Sequence, residues 1–129
     1  MVDIDVAAAI SGGMSDPEFA HEMRFFTGSF KVVVARAETV ATFDDGKLVA
    51  VGQPLADGDC KVVIRGTQEH WDNMLAPYPV PFYQCLQTTV VKHGMNMTTT
   101  NESFAYLPAF NRLVQLLRAQ KNGATNGAA

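Results

Sequence analysis

The sequence has few of the features that mark specialised classes of protein. It has only two cysteines, Cys60 and Cys85, too few for a disulfide framework and without the spacing of a metal cluster, so we interpret both as buried, reduced thiols. Its apolar runs are far shorter than the roughly 20 residues that cross a membrane. The net charge is −3 and no stretch is strongly basic, so we expect no nucleic-acid partner.

The N-terminus also lacks the positive charge of a secretory signal. Asp3 and Asp5 stand where that charge would be, and the apolar patch Val6 to Ile10 is short, so we expect a cytoplasmic protein. The length of 129 residues is that of one domain. We divide the chain into an N-terminal segment 1–15, a folded domain 16–120 and a tail 121–129 whose Gly, Asn and Ala content predicts disorder.

The stretch from Cys60 to Leu75 predicts a strand that leads directly into a helix. Apolar and polar residues alternate from Cys60 to Arg65, which is typical of a half-buried strand. Gly66 breaks this period, and Thr67 can cap a helix by accepting a backbone N–H. Trp71, Met74 and Leu75 then share one helical face, so this helix must pack on an apolar layer.

The rest of the predicted sheet flanks this step. From Ser29 the hydrophobic period is two, and turn residues at 36–38 and 44–46 separate three strands of an antiparallel meander. The strand at 60–65 is predicted to be the fourth strand of this meander, and the alternation from Met95 to Thr100 predicts a fifth strand. The fold class we expect is α+β, a five-stranded, largely antiparallel sheet covered on one face by about four to five helices.

Two further helices are predicted in the first half and the middle of the chain. Ser15 to Glu18 is a helix start signal, and the stripe Phe19, Met23 and Phe26 continues until Gly28. Pro81 can open a helix through Val91, although the β-branched residues 88–91 are equally compatible with a strand.

The last predicted helix has the longest apolar stripe, made of Phe110, Leu113, Val114 and Leu117. Asn101 can cap the segment that leads into it. Pro108 is expected to kink this helix or to restart it.

Residues with catalytic potential do not form a recognisable motif. The three histidines, His21, His70 and His93, lack metal-ligand spacing, and the paired aspartates flank glycines, which is typical of turns. No phosphate loop or nucleophile elbow is present, so we predict no metal, no cofactor and no catalytic residue. Cys85 remains an alternative nucleophile if a histidine lies near it.

The apolar residues are rich in methionine and aromatic side chains. Methionine adapts to irregular spaces and suits the wall of a cavity for a variable apolar guest. A large, simply packed core is the alternative explanation for the same residues.

The order of elements resembles the sterol carrier protein 2-like domain over about residues 16–120. The resemblance rests on the strand-to-helix step from Cys60 to Trp71, the strand that ends Met95-Asn96-Met97, and the final Leu-rich helix that runs to Leu117. Members of that family have a five-stranded sheet covered by helices around a hydrophobic tunnel for fatty acids, acyl-CoA esters or sterols.

The resemblance implies a small lipid-binding or carrier protein without chemistry of its own. The side chains expected to line the cavity are Met23, Phe26, Trp71, Leu75, Phe82, Leu86, Met95, Met97, Phe104, Phe110 and Leu113. Arg65, His93 and Asn96 are the candidates for orienting a ligand head group.

Two alternatives stay open at this point. The chain is an enzyme, or an accessory subunit of one, if Cys85, His93 or an acid reaches into a similar cavity. It is a dimerisation module if valines on the second face of the sheet pair two subunits. These are Val33, Val49, Val51 and Val63.

Overall fold

The computed structural model describes residues 4–98 and 100–123 and contains one five-stranded sheet. The strands are β1 (Gly28–Val34), β2 (Ala37–Asp44), β3 (Lys47–Val51), β4 (Val62–Gly66) and β5 (Asn96–Met97), in the spatial order β3-β2-β1-β4-β5. The helices are α1 (Val6–Gly13), α2 (Pro17–Glu22), α3 (Gln68–Met74), α4 (Leu86–His93), α5 (Asn101–Ala105) and α6 (Leu107–Arg118), with short helical turns at Asp57–Asp59 and Ala119–Gly123. The predicted α+β class with a largely antiparallel sheet is confirmed.

One strand pairing differs from the prediction. β1, β2 and β3 form the expected antiparallel meander, but β4 pairs with β1 in parallel, with Phe30 opposite Val62 and Val34 opposite Gly66. The prediction of a fourth antiparallel strand in the meander was therefore wrong. The segment between β3 and β4 is long enough to carry the chain back across the sheet before β4 begins, which a tight hairpin turn does not allow.

The helix starts follow the capping signals. The Asp16 Oδ2 accepts a hydrogen bond from the Phe19 N–H at 2.8 Å, and Pro17 occupies the first turn of α2. α2 ends at Glu22, however, so Phe26 lies beyond it rather than in its stripe. Phe26 is still buried, because the chain turns toward β1 over the same core.

Two other boundaries differ from the predicted ones. α4 begins at Leu86, not at Pro81, because Cys85 is extended and Phe82 has a left-handed φ of 72°. The segment leading to α6 is capped by Thr100 instead of Asn101. Pro108 was expected to kink the last helix or to restart it, and the structure shows a restart, since α5 ends at Ala105 and Pro108 lies in the first turn of α6.

The helices cover the face of the sheet that carries Phe30, Val32 and Val34, and aromatic rings fill the space between the layers. The Phe26 ring lies edge-on to Tyr106 at 4.9 Å between centroids, and the Phe30 ring lies edge-on to Phe110 at 5.2 Å. The contact between Phe30 and Phe110 joins β1 of the meander to α6.

Both ends of the described chain continue the folded structure beyond the predicted domain boundaries, which divided the sequence into 1–15, 16–120 and 121–129. Val6 and Ile10 of α1 are buried in the same core as α6, and residues 121–123 continue the chain as a helical turn. Residues 1–3, 99 and 124–129 lie outside the described residues. The domain boundaries stay a prediction.

No helix within 4–98 and 100–123 combines the length and the apolar character that crossing a bilayer requires.

Candidate ligand pocket

A pocket of about 450 Å³ opens where the parallel strands β1 and β4 end. Because these strands run in the same direction, Val34 and Gly66 reach the same edge of the sheet. Ligands commonly bind at the carboxyl ends of parallel strands, and the volume falls within the roughly 300–1,000 Å³ typical of small-molecule sites. The lining residues are Ala35, Arg36, Arg65, Gly66, Thr67, Gln68, His70, Gly94 and Asn96.

The start of α3 lines the pocket, and His70 in its first turn connects it to the end of α4. The Thr67 hydroxyl accepts a hydrogen bond from the His70 N–H at 3.1 Å, and His70 Nδ1 accepts one from the Thr67 N–H at 3.1 Å. Since Nδ1 accepts, Nε2 carries the proton and donates to the His93 carbonyl at 2.8 Å. His70 therefore connects the start of α3 to the end of α4 through hydrogen bonds.

Gly66 lines the floor of the pocket, and a larger residue does not fit there. A Cβ at this position would lie 2.9 Å from Met95 Cε and 2.9 Å from Trp71 Nε1. The Trp71 indole is itself fixed, because it donates a hydrogen bond of 2.9 Å to the Val33 carbonyl. Met95 and Trp71 thus separate the pocket from the core behind it.

Two guanidinium groups supply positive charge to the pocket. Arg65 Nη1 and Nη2 donate to Asp57 Oδ2 and Oδ1 at 2.9 and 3.3 Å, and Lys31 Nζ donates to the same carboxylate at 2.8 Å. The hydrogen bonds from Arg65 and then Lys31 lower the pKa of Asp57 to about 2, and the bond to Asp57 raises the pKa of Arg65. Arg36 has no ion-pair partner among residues 4–98 and 100–123.

Two of the three predicted head-group residues line the pocket. Arg65 and Asn96 are both in the lining. The His93 ring instead stacks on Tyr83 at 3.7 Å between centroids, and its Nε2 lies 3.3 Å from the Pro81 carbonyl oxygen.

The predicted apolar lining residues do not line this pocket but fall into three environments. Eight are buried in the core next to it, each no more than 3% exposed. These are Met23, Phe26, Trp71, Leu75, Leu86, Met95, Phe110 and Leu113. Met97 is half-buried against the same core, whereas Phe82 and Phe104 are 47% and 66% exposed.

The two cysteines and the possible metal ligands do not form a reactive cluster in the described part of the chain. Cys60 and Cys85 are free and half-buried rather than buried, and burial raises the pKa of the Cys60 thiol. In the described part of the chain no three His, Cys, Asp or Glu side chains are grouped so as to hold a metal ion.

The valines expected on a second apolar face do not form one open surface. Val33 and Val63 are already buried within the single chain, Val51 packs against the core, and Val49 alone of the four is exposed.

Comparison with known proteins gives no match to a family model and none to a curated protein. Solved structures do match. A crystal structure of sterol carrier protein 2 aligns with a TM-score of 0.65 at 14% identity, covering 89% of this chain and 95% of that one. The fold is that of the sterol carrier protein 2-like domain.

Two other structures share this sterol carrier protein 2 fold. A conserved hypothetical protein from Thermus thermophilus, described as a candidate sterol carrier protein, aligns with a TM-score of 0.63 at 15% identity over 92% of this chain and 87% of its own. The UbiJ-SCP2 ubiquinone synthesis protein aligns with a TM-score of 0.51 at 14% identity over 87% and 95%. The resemblance read from the order of elements is confirmed as a likeness of fold.

Within the sterol carrier protein 2 fold of this chain, sequence reasoning missed Arg36, Gln68 and His70 as pocket residues. Arg36 follows β1 in a turn, so its sequence context indicates only a hairpin. Arg36 reaches the pocket because β1 ends beside β4. No sequence pattern near Arg36 indicates that these two strands pair in parallel. Gln68 and His70 lie in the predicted α3, but the helix alone does not indicate what its first turn faces.

Proposed function

We propose that this chain is a small carrier that binds a hydrophobic small molecule such as a fatty acid, an acyl-CoA ester or a sterol. The observation that carries the proposal is the alignment with sterol carrier protein 2 over 89% of this chain and 95% of that one. The pocket beside the core, with an arginine-rich rim, supports it further.

The apolar part of the ligand enters the core between Met95 and Trp71. These two side chains form the barrier behind Gly66, and the unbranched Met95 can change rotamer more readily than the hydrogen-bonded indole. Each 100 Å² of ligand apolar surface that is buried contributes about 2.5 kcal/mol. Separating the packed core residues opposes this gain, so binding is coupled to opening of the core.

The polar end of the ligand remains in the pocket, where Arg36, Arg65 and Asn96 hold it. The Asp57 carboxylate fixes the Arg65 guanidinium in place, while the guanidinium of Arg36 has no acidic partner among the described residues and is free to pair with an anionic head group. A carboxylate is therefore bound more tightly than an alcohol of equal chain length.

Trp71 fluorescence tests this assignment directly, because the only tryptophan lies at the barrier that the ligand must pass. We expect palmitate to shift the Trp71 emission, and Arg36→Gln to weaken palmitate binding about tenfold through loss of one charge-assisted contact. Hexadecanol binding should be unaffected by the same substitution.

Arg24→Gln is the matched control, because Arg24 is also exposed but lies over the Phe25 ring, outside the pocket lining. Absence of any emission change or bound mass with palmitate, palmitoyl-CoA and cholesterol would refute the carrier assignment. Equal loss of palmitate and hexadecanol binding in Arg36→Gln would refute the head-group assignment alone.

An accessory role in an enzyme complex is the second candidate function. It is favoured by the fold shared with the UbiJ-SCP2 ubiquinone synthesis protein. A carrier binds its ligand fully by itself, whereas an accessory subunit alters the turnover of a partner enzyme. Comparing ligand binding by the purified chain with turnover in extracts with and without it separates the two.

A further inference from the structure

The segment between α3 and α4 presents apolar side chains to solvent. Residues 76–82, here named the proline loop, contain prolines at 77, 79 and 81. Between these prolines Tyr78 is 92% exposed and Val80 is 57% exposed, and Phe82 follows at 47%. Large apolar groups so exposed in a stiff segment are typical of an interaction surface.

The proline loop is fastened at both ends to α6. Arg118 Nη2 donates to the Met74 carbonyl at 2.7 Å and to the Gln84 carbonyl at 3.1 Å, and Asn111 Oδ1 accepts from the Leu86 N–H at 2.8 Å. The exposed side chains therefore project from a fixed base.

Phe82 is held outward by its own backbone. Its φ of 72° lies in the left-handed region, which is unfavourable for an aromatic residue and would suit glycine better. The Phe82 N–H donates to Gln84 Oε1 at 2.8 Å, and its carbonyl accepts from Thr89 Oγ1 at 3.2 Å, so this conformation is supported on both sides. The ring lies 5.3 Å from Lys92 Nζ, which places a cation beside the apolar surface.

The charge of this part of the chain differs from that of the whole. The protein has a net charge of −3 and 13 acidic residues, yet no Asp or Glu occurs between residues 73 and 101. Lys92 is the basic residue of that stretch. Exposed aromatic and aliphatic groups beside a lysine, on a segment that itself contains no carboxylate, match the chemistry of an anionic bilayer surface.

We propose that the proline loop and Lys92 dock this protein on membranes that contain anionic phospholipids. Tyr78, Val80 and Phe82 enter the boundary between head groups and acyl chains, while Lys92 pairs with a lipid phosphate. Docking there places the carrier against a store of hydrophobic molecules. The surface chemistry does not depend on whether a ligand is bound, so this proposal and the carrier assignment can fail separately.

Vesicle co-sedimentation of the full chain tests the proposal. We expect binding to vesicles of phosphatidylcholine with phosphatidylglycerol and much weaker binding to phosphatidylcholine alone. Tyr78→Ser combined with Val80→Ser should lower partitioning at least tenfold, because both side chains are exposed and their loss leaves the fold unchanged. Lys92→Gln should lower it about fivefold on the anionic vesicles only.

Phe25→Ser combined with Val49→Ser is the matched control, since these side chains are 68% and 59% exposed outside the proline loop. This pair should change partitioning less than twofold. Absence of vesicle binding, equal binding to neutral and anionic vesicles, or an equal effect of the control pair would each overturn the proposal. Binding of a proline-recognising protein in place of vesicles would also overturn it.

Discussion

Gly66→Ala is the substitution that most sharply tests the construction of the pocket floor. The backbone at Gly66 is outside the left-handed region, so alanine is allowed by the backbone and only the surroundings oppose it. The new Cβ would lie 2.9 Å from Met95 Cε, 2.9 Å from Trp71 Nε1 and 3.2 Å from His70 Cβ. All three contacts are tighter than carbon atoms normally tolerate, so the neighbours must move.

The loss of folding stability depends on which of these neighbours moves. Met95 Cε is the end of a flexible side chain and can swing away at little cost. The Trp71 ring cannot, because it is 2% exposed and hydrogen-bonded to the Val33 carbonyl. Overpacking a core costs about 1–3 kcal/mol, and weakening one buried hydrogen bond adds about 1 kcal/mol.

We therefore expect Gly66→Ala to destabilise the protein by roughly 2–3 kcal/mol. At about 2.1 cal/mol/K per residue, the unfolding entropy of 129 residues is about 0.27 kcal/mol/K, which gives a fall in Tm of roughly 7–11 °C. Calorimetry measures this fall, and the Trp71 emission should change in the folded state because the indole is displaced.

Gly12→Ala is the control for a glycine-to-alanine change without crowding. Among residues 4–98 and 100–123, no atom beyond the adjacent residues and the backbone of α1 itself lies within 4 Å of a Cβ at Gly12, so alanine should stabilise the helix by up to about 1 kcal/mol. A Gly66→Ala protein that unfolds within about 0.5 kcal/mol of the parent would contradict the tight floor described above.

Three further predictions concern stability. Asp16 and Asp57 have pKa values of about 2, below the usual 3.8, because arginine side chains hydrogen-bond them, so each contributes stability that is complete above about pH 4 and is lost as the pH falls toward 2. Urea unfolding between pH 2 and 6 should show this loss of stability. If the unfolding free energy of Asp57→Asn depended on pH as steeply as that of the parent protein, the contribution of Asp57 would be refuted. Thr67→Ala removes the α3 cap and should cost about 1 kcal/mol by thermal unfolding, while an unchanged Tm would count against the cap. Ile10→Ala should cost about 2–5 kcal/mol by urea unfolding if α1 belongs to the common core, and a cost under 0.5 kcal/mol would argue that it does not.

The elements that sequence patterns predicted well are those set by local chemistry. The step from β4 through Gly66 to the Thr67 cap, and the restart of the last helix at Pro108, depend on a few adjacent residues and are present as predicted. The end of α2 was harder to predict, because Phe26 is buried whether it lies in the helix or in the turn after it.

The pocket could not be predicted in full because it depends on a non-local pairing. Arg65 and Asn96 were named from their chemistry, and both line the pocket. Arg36 reaches it only because β1 and β4 are parallel neighbours, a pairing that alternation within either strand does not encode. The exposure of Phe82 likewise follows from a backbone conformation that its apolar side chain does not reveal.

Native mass spectrometry of the full chain tests most directly whether it carries a hydrophobic small molecule. The protein should be equilibrated with an excess of palmitate, palmitoyl-CoA and cholesterol, each in a separate sample. We predict one bound molecule per chain with at least one of these probes, and a matching shift of the Trp71 emission. A spectrum that contains only the unliganded mass with all three would contradict the account.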